Sequence, residues 1–294
     1  MGSAGLNFRY AENIVNQASA VGYQPRRLTS GFSEAKIPTL PQSTREGWGN
    51  PQRGPPKAKA RLCYPRNMPS FADRFDPHSL KLVIFDLDGT LIDSRLDLIH
   101  SVNAMLRHFK HPELPGEVVA SYVGDGAPML VRRALGDPDD EKFFRDALEF
   151  FLGYYREHKL DHTRVYDGIP EALRIIQANG SQRNMAVLSN KPVNPTRAIV
   201  EALGLAQFFV RVYGGNSFET KKPDPLGVET LLKETGTARE NAMIVGDSSI
   251  DVLTGRNAGI ATCGVTYGFA PHTLCVAPPD VTVDSPDELA RLFS

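Results

Sequence analysis

The sequence predicts an α/β fold in which a doubly wound parallel sheet carries a small α-helical cap domain inserted after the first strand. From residue 81 onward, short apolar runs alternate with amphipathic helical segments, as expected for a parallel sheet covered by helices on both faces. The segment 95–165 interrupts this alternation with helical spacing alone, and it is too long for a simple connection. We therefore expect a core of residues 80–94 and 166–294, and a cap of residues 95–165.

Residues 1–67 differ in composition from everything that follows. They carry a net charge of +7 and contain seven prolines and seven glycines without a sustained apolar period, whereas the remaining residues carry a net charge of −8. Such a segment buries too little apolar surface to offset the entropy of ordering, which predicts a disordered N-terminal extension. Three explanations remain open: a start codon assigned too early, with Met68 as the true start, a targeting peptide, or a regulatory tail. We favour the first.

Four strands are predicted from apolar runs that are bounded by Asp, Asn or Gly. They are KLVIFD at 81–86, MAVLSN at 185–190, AMIVGD at 242–247 and GIATCGVTYG at 259–268. Helices are predicted between them from apolar residues on one face, and glycines at 180 and 236 are typical of the residue that ends a helix. These helical segments are PEALRIIQANG at 170–180, NPTRAIVEALGL at 194–205 and PLGVETLLKETG at 225–236.

The cap is predicted from two apolar series at helical spacing. The first runs from Leu98 to Phe109 and the second from Phe143 to Tyr155. A segment of this apolar character is unsuited to a loop, so we expect a small helical domain.

Polar residues follow the strands at the points where the strands end. Because the carboxyl ends of parallel strands meet at one edge of a sheet, where ligands bind in such folds, these residues are expected to converge. The groups are Asp86, Asp88 and Thr90; Ser189 and Asn190; Lys222, from a loop; and Asp247 and Asp251.

Taken singly, each of these groups has an ordinary structural explanation. DLDG can be a polar turn, Ser189-Asn190 or Asp247-Ser248 a helix cap, and Lys221-Lys222 solvated charge.

Together, the four groups suit phosphoryl transfer. Clustered carboxylates repel one another, and a hard divalent cation with oxygen ligands, such as Mg²⁺, relieves the repulsion. Lys222 adds positive charge for a phosphate dianion. One aspartate can then attack phosphorus while a second handles the proton.

The motifs DLDGT, LSN, KKPDP and GDSSID stand in the order of the four motifs of the haloacid dehalogenase superfamily, which this sequence resembles over about residues 80–294. The resemblance implies a Rossmann-like core and phosphatase activity through an aspartyl-phosphate intermediate. By it, Asp86 is the nucleophile and Asp88 the general acid and base. Lys222 is the lysine of the third motif. The insert takes the place of the family's cap domain.

The resemblance also implies how the remaining residues bind ligands. Thr90, Ser189 and Asn190 would hold the phosphoryl group. Asp86, the main-chain carbonyl of Asp88, and Asp247 would bind Mg²⁺. Asp251 would lie just behind these ligands.

A narrower resemblance, to phosphoglycolate phosphatases, rests on YVGDGAPMLVRRAL at 122–135 and GVTYGF at 264–269. It implies hydrolysis of 2-phosphoglycolate to glycolate. Gly124 and Gly126 precede a predicted helix whose free N–H groups can hold a substrate carboxylate. Arg132 or Arg133 would assist, or else lie on a solvated helix face.

The composition excludes several classes of function. No apolar run approaches the ~20 residues needed to cross a bilayer. The acidic body lacks the basic footprint of a nucleic-acid binder. Three scattered cysteines suit a reducing compartment.

We expect a cytoplasmic monomer or homodimer that acts on a small-molecule phosphate ester. The alternatives are a sugar-phosphate phosphatase or mutase, a nucleotidase, a pyrophosphatase, or a non-catalytic binding protein of the same fold.

Overall fold

The structure, a computed structural model, describes residues 76–178 and 183–294. The predicted extension at 1–67 and the predicted helix-ending Gly180 lie outside the described residues. The elements of the described part follow in chain order. They are β1 (Leu82–Phe85), β2 (Ile92–Asp93), α1 (Arg95–His108), α2 (Gly116–Ser121), α3 (Ala127–Ala134), α4 (Glu141–His158), β3 (Arg164–Val165), α5 (Ile169–Ala178), β4 (Asn184–Leu188), α6 (Val193–Ala202), β5 (Arg211–Tyr213), α7 (Leu226–Thr235), β6 (Ala242–Gly246), α8 (Ser249–Ala258), β7 (Ala261–Val265), β8 (Val281–Val283) and α9 (Pro286–Arg291).

Six parallel strands form the sheet in the order β5-β4-β1-β6-β7-β8. The central strand β1 pairs with β4 on one side and β6 on the other, with Phe85 in register with Val187 and Val245. All four residues of β1 are fully buried. This explains its uninterrupted apolar run, because a central parallel strand is covered on both faces.

Alternate residues of β1 face different layers of helices. Val83 and Phe85 share one apolar cluster with residues of α5, α6 and α9, whereas Leu82 and Ile84 share another with residues of α7 and α8. Side chains of a strand point to opposite faces in turn, so the two helical layers are built on the same four residues. The predicted doubly wound α/β fold is confirmed.

A helical cap follows the first strand, also as predicted. Helix α1 packs along α4, α3 packs on α4, and α2 packs on α1. Their buried residues, among them Val102, Leu130 and Phe151, are continuous with the apolar cluster on one face of the sheet. The boundaries 95 and 165 stay predictions.

The chain enters and leaves the cap through a two-stranded antiparallel ribbon, in which β2 pairs with β3. Beside the ribbon, the buried carboxylate of Asp97 at the start of α1 accepts hydrogen bonds from the N–H (2.8 Å) and hydroxyl (2.7 Å) of Thr163 and from the N–H of His162 (3.0 Å). Burial alone would raise the pKa of Asp97, but these hydrogen bonds together outweigh it and lower that pKa. One carboxylate therefore joins the two segments that connect the cap to the core.

The four predicted strands are present as β1, β4, β6 and β7. The sequence did not predict the short sheet strands β5 and β8, nor the two-residue strands of the ribbon, one of which lies at the end of the segment expected to be purely helical. Among the described helices, none combines the length and the apolar character needed to cross a bilayer.

Candidate active site

The site residues predicted in the core, apart from Thr90, converge at the carboxyl edge of the sheet. Strands β4, β1 and β6 are neighbours, so the residues that follow them meet there. They line one cavity whose opposite wall comes from the cap. The core contributes Asp86, Asp88, Ser189, Asn190, Lys191, Lys222, Asp247 and Asp251, and the cap contributes Leu98, Val123, Gly124, Gly126, Ala127, Leu130, Phe151, Leu152 and Tyr155.

Lys222 connects two carboxylates at the floor of the cavity. Its Nζ donates to Oδ1 of Asp86 at 2.8 Å and to Oδ1 of Asp251 at 2.6 Å, and all three side chains are buried or nearly so. Burial raises the pKa of Asp86, Lys222 opposes this, and the charge of Asp251 adds to it, so the pKa reaches about 6. The lysine thus fixes the position of Asp86 but does not fully offset the cost of burying its charge.

Asp247 lies beside Asp86 in a pocket made by backbone. Its Oδ2 accepts hydrogen bonds from the N–H groups of Phe269 and Ala270. Burial is the main reason why its pKa rises to about 8, and the charges of Asp251 and Asp86 add to the rise. The residue at 89 must be glycine, because φ there is +84° and a Cβ atom would lie 2.3 Å from Oδ2 of Asp247.

The acidic cluster fits a divalent cation. Carboxylate oxygens of Asp86, Asp247 and Asp251 lie within 4.8 Å of one another. An all-oxygen donor set suits a hard cation. Burial, with the charges of neighbouring carboxylates, raises the pKa of Asp86 and of Asp247, so added positive charge is favourable here. Asp251 already accepts from Lys222 through one oxygen and from Ser248 through the other. Both carboxylate oxygens of Asp251 therefore have partners within the protein, and its place behind the direct ligands stays a prediction.

The carboxylate of Asp88 belongs to a different group of side chains. It accepts two hydrogen bonds from Nζ of Lys191, at 2.6 and 2.8 Å, and one from the hydroxyl of Ser94. The Lys191 Nζ also lies 4.9 Å from the ring centroid of Tyr155 in the cap. Asp86 and Asp88 thus point to different partners, and their side chains do not form a single acidic pair.

Lys191 is the site residue that sequence reasoning missed. It follows Ser189-Asn190 directly and is buried in the cavity wall. Burial alone would lower its pKa, but the charge and hydrogen bonds of Asp88, together with Tyr155, outweigh this and raise the pKa. Its sequence position could have identified it, because Lys191 comes directly after Ser189 and Asn190, two predicted site residues at the end of a strand.

The three residues expected to hold a phosphoryl group differ in placement. Ser189 lines the cavity. The Asn190 amide nitrogen donates to the carbonyl of Gly124 at 3.0 Å and to that of Lys222 at 3.1 Å, so it joins the cap to the core. The Thr90 side chain is fully buried, finds no partner among the described residues, and is not brought to the cavity wall.

The cap loop that contains Gly124 and Gly126 reaches the cavity directly before α3. At Gly126, φ is +86° and a Cβ atom would lie 2.8 Å from the carbonyl oxygen of Asn190, so glycine permits this contact. Arg133 pairs with Asp125 and donates to the carbonyl of Tyr122.

The other arginine of α3 also has partners outside the cavity. Arg132 pairs with Glu141 and lies over the ring of Phe144. Neither Arg132 nor Arg133 is among the described residues that line the cavity.

Comparisons with known proteins identify the family of this chain. Residues 83–265 match the family described as haloacid dehalogenase-like hydrolase. The chain is 38% identical over 218 residues to a phosphoglycolate phosphatase of Chromobacterium violaceum. This alignment covers 73% of this chain and 96% of that protein. It is 36% identical over 196 residues to a phosphoglycolate phosphatase of Haemophilus influenzae, covering 64% of this chain and 87% of that protein.

Among solved structures, a crystal structure described as a predicted phosphoglycolate phosphatase from Haemophilus somnus superposes with a TM-score of 0.69 at 29% identity. The superposition covers 74% of this chain and 99% of that one. The family match extends from β1 into the last predicted strand, so it includes the residues that line the cavity except Phe269 and Ala270. The chain therefore belongs to the haloacid dehalogenase-like hydrolases.

Proposed function

We propose that this protein is a phosphatase that hydrolyses 2-phosphoglycolate to glycolate and phosphate. The observation that carries the proposal is the buried Asp86, held at 2.8 Å by Lys222 at the floor of a capped cavity. The relatives that are named phosphoglycolate phosphatases support the choice of substrate.

The cation in this proposal is Mg²⁺. Asp86, Asp247 and the main-chain carbonyl of Asp88 would hold it, with Asp251 behind them. When bound, it supplies positive charge that stabilises the transferring phosphoryl group. Oxygen ligands and a phosphate substrate both favour Mg²⁺ over softer metals.

The reaction proceeds in two steps that use the residues of the cavity. A carboxylate oxygen of Asp86 attacks phosphorus, the bond from phosphorus to the glycolate oxygen breaks, and Asp88 donates a proton to that oxygen. Asp88 then takes a proton from water, which attacks phosphorus and releases phosphate from Asp86. Lys222 holds Asp86 in place during both steps, and Ser189 binds a phosphoryl oxygen.

The wall of the cavity that comes from the cap favours a small substrate over a sugar phosphate. Tyr155 is the only cap residue with a polar side chain among the described residues that line the cavity, and the rest are apolar or glycine. A sugar presents several hydroxyl groups that need hydrogen-bond partners when they are buried. Glycolate presents a single carboxylate.

We also propose that the protein works in the cytoplasm as a monomer or homodimer. Sparse cysteines, which suit a reducing compartment, and an acidic body without the footprint of a nucleic-acid binder support this location.

The test is phosphate release by the purified chain with Mg²⁺ from a panel of phosphoglycolate, hexose phosphates, nucleotides and pyrophosphate. We expect the highest kcat/KM for phosphoglycolate. A clear preference for another compound of the panel contradicts the proposed substrate, and no release from any of them contradicts phosphatase activity.

A further inference from the structure

We infer that Lys191 binds the carboxylate of the substrate and thereby selects phosphate esters that carry a second anionic group beside the leaving oxygen. The inference rests on the proposed function and adds a residue that determines specificity.

The position of Lys191 is the first observation. It lies at the junction of core and cap, with its Nζ 2.6 and 2.8 Å from the two oxygens of Asp88 and 4.9 Å from the centroid of the Tyr155 ring. Its side chain is 5% exposed. An ammonium group buried to this degree is costly unless it has partners, and Asp88 is the partner that allows Lys191 to lie in the wall of the cavity.

The charges around the cavity are the second observation. Among the described residues that line it, only Lys191 and Lys222 are cationic. Lys222 is committed to Asp86 and Asp251 at the end where phosphorus is attacked. The arginines of α3 are paired outside the cavity. Among the described residues of the lining, Lys191 is therefore the cation that can face a second anionic group.

The chemistry of the reaction places that group near Lys191. A residue that protonates the leaving oxygen must come within about 3 Å of it. Asp88 has this task in the proposed function, and Lys191 lies within 2.8 Å of both Asp88 oxygens. In phosphoglycolate a single methylene separates the leaving oxygen from the carboxylate. A substrate bound for hydrolysis thus brings its carboxylate within reach of the ammonium group.

The ion pair with Asp88 gives the site a way to reject other esters. An ammonium group has three donors on a flexible stem, so Lys191 can turn from one carboxylate to another. The carboxylate of the substrate draws it away from Asp88 and frees Asp88 for the leaving oxygen. An ester without a second anionic group leaves Asp88 paired, and we expect slower turnover for it.

The experiment compares kcat/KM for phosphoglycolate and for ethyl phosphate, which lacks the carboxylate, in the full chain and in Lys191→Met. The wild-type chain should prefer phosphoglycolate. Lys191→Met should reduce this preference about 10- to 100-fold, because KM for phosphoglycolate rises with the loss of a charge-assisted hydrogen bond and ethyl phosphate no longer meets an Asp88 that is paired with Lys191. Lys142→Met is the matched control. It breaks an exposed Lys–Asp pair in the cap, and the preference should not change.

Lys191→Gln serves as a second neutral variant in case the methionine variant folds poorly, and it should lose the preference as well. Lys191→Arg keeps the charge and should retain more of the preference than either neutral variant. If the neutral variants keep the full wild-type preference, the inference is overturned while the proposed function stands. If the wild-type chain itself shows no preference for phosphoglycolate, the proposed substrate and the inference both fail.

Discussion

The Nζ atom of Lys222 lies 2.8 Å from Oδ1 of Asp86, although 136 residues separate the two in the chain. The contact joins the end of β1 to the loop before α7, and the same ammonium group also bonds Asp251. The carboxylate that is proposed to attack phosphorus is therefore fixed by a charge from a distant loop of the core.

Asp86→Asn should lower Mg²⁺-dependent phosphate release by at least about 10³-fold, because the amide cannot serve as the nucleophile. The measurement is kcat with phosphoglycolate, alongside a thermal melt that checks folding. Asp146→Asn, in an exposed ion pair of the cap, is the control and should keep wild-type activity. Near-normal turnover by Asp86→Asn would refute the assignment of the nucleophile.

Lys222→Met should destabilise the metal-free protein by roughly 3–5 kcal/mol, because it leaves Asp86 and Asp251 buried without their cation. Urea unfolding in EDTA measures this loss. Mg²⁺ should restore part of it by supplying positive charge to the same carboxylates. Equal stability of variant and wild type in EDTA would show that the lysine does not compensate these charges.

The stability of the metal-free protein should fall as pH rises from about 4 to about 8. The pKa of Asp86 is raised to about 6 and that of Asp247 to about 8, compared with about 3.9 in an unfolded chain. Between about pH 4 and pH 8 the folded state therefore holds protons that the unfolded state has released, and folding weakens as these protons leave.

Urea unfolding in EDTA at pH 6 and pH 8 tests this expectation, with lower stability expected at pH 8. Asp247→Asn should show a smaller decline, because one of the two groups no longer titrates. A wild-type protein that is equally stable, or more stable, at pH 8 would contradict the prediction.

Asp97→Ala should destabilise the protein by about 2–4 kcal/mol, because the main-chain N–H groups of His162 and Thr163 lose a buried acceptor. The pKa of Asp97 is lowered, so its contribution is present above about pH 4 and is lost as pH falls further. Urea unfolding at pH 7 and at pH 3.5 should show a smaller difference between variant and wild type at the lower pH. Asp161→Ala, in an exposed pair with His158, is the control and should change stability little.

The sequence predicted the strands that are buried on both faces and missed those at the edges. Strands β1, β4, β6 and β7 read as apolar runs because helices cover both of their faces. Strand β5 has only three residues, begins with the exposed Arg211 and forms one edge of the sheet. Strand β8 forms the other edge and is likewise only partly buried. Neither leaves an apolar run in the sequence.

The sequence predicted part of the candidate site and missed one of its residues. Asp86, Ser189, Lys222 and Asp247 could be expected together because they follow strands or a loop at the same edge of the sheet. Lys191, the partner of Asp88, could not be predicted as a site residue, because a lysine after a strand end is ordinarily solvated. Its burial depends on Tyr155, which belongs to a helix of the cap and lies far away in the sequence.

The ribbon of β2 and β3 brings the two ends of the cap insert to one place on the core. The chain leaves the core at Ile92–Asp93 and returns beside the same point at Arg164–Val165. Because paired strands lie about 5 Å apart, a change within the cap need not move a strand of the sheet. The cavity wall that comes from the cap can therefore differ while the carboxylates that follow the sheet strands keep their places.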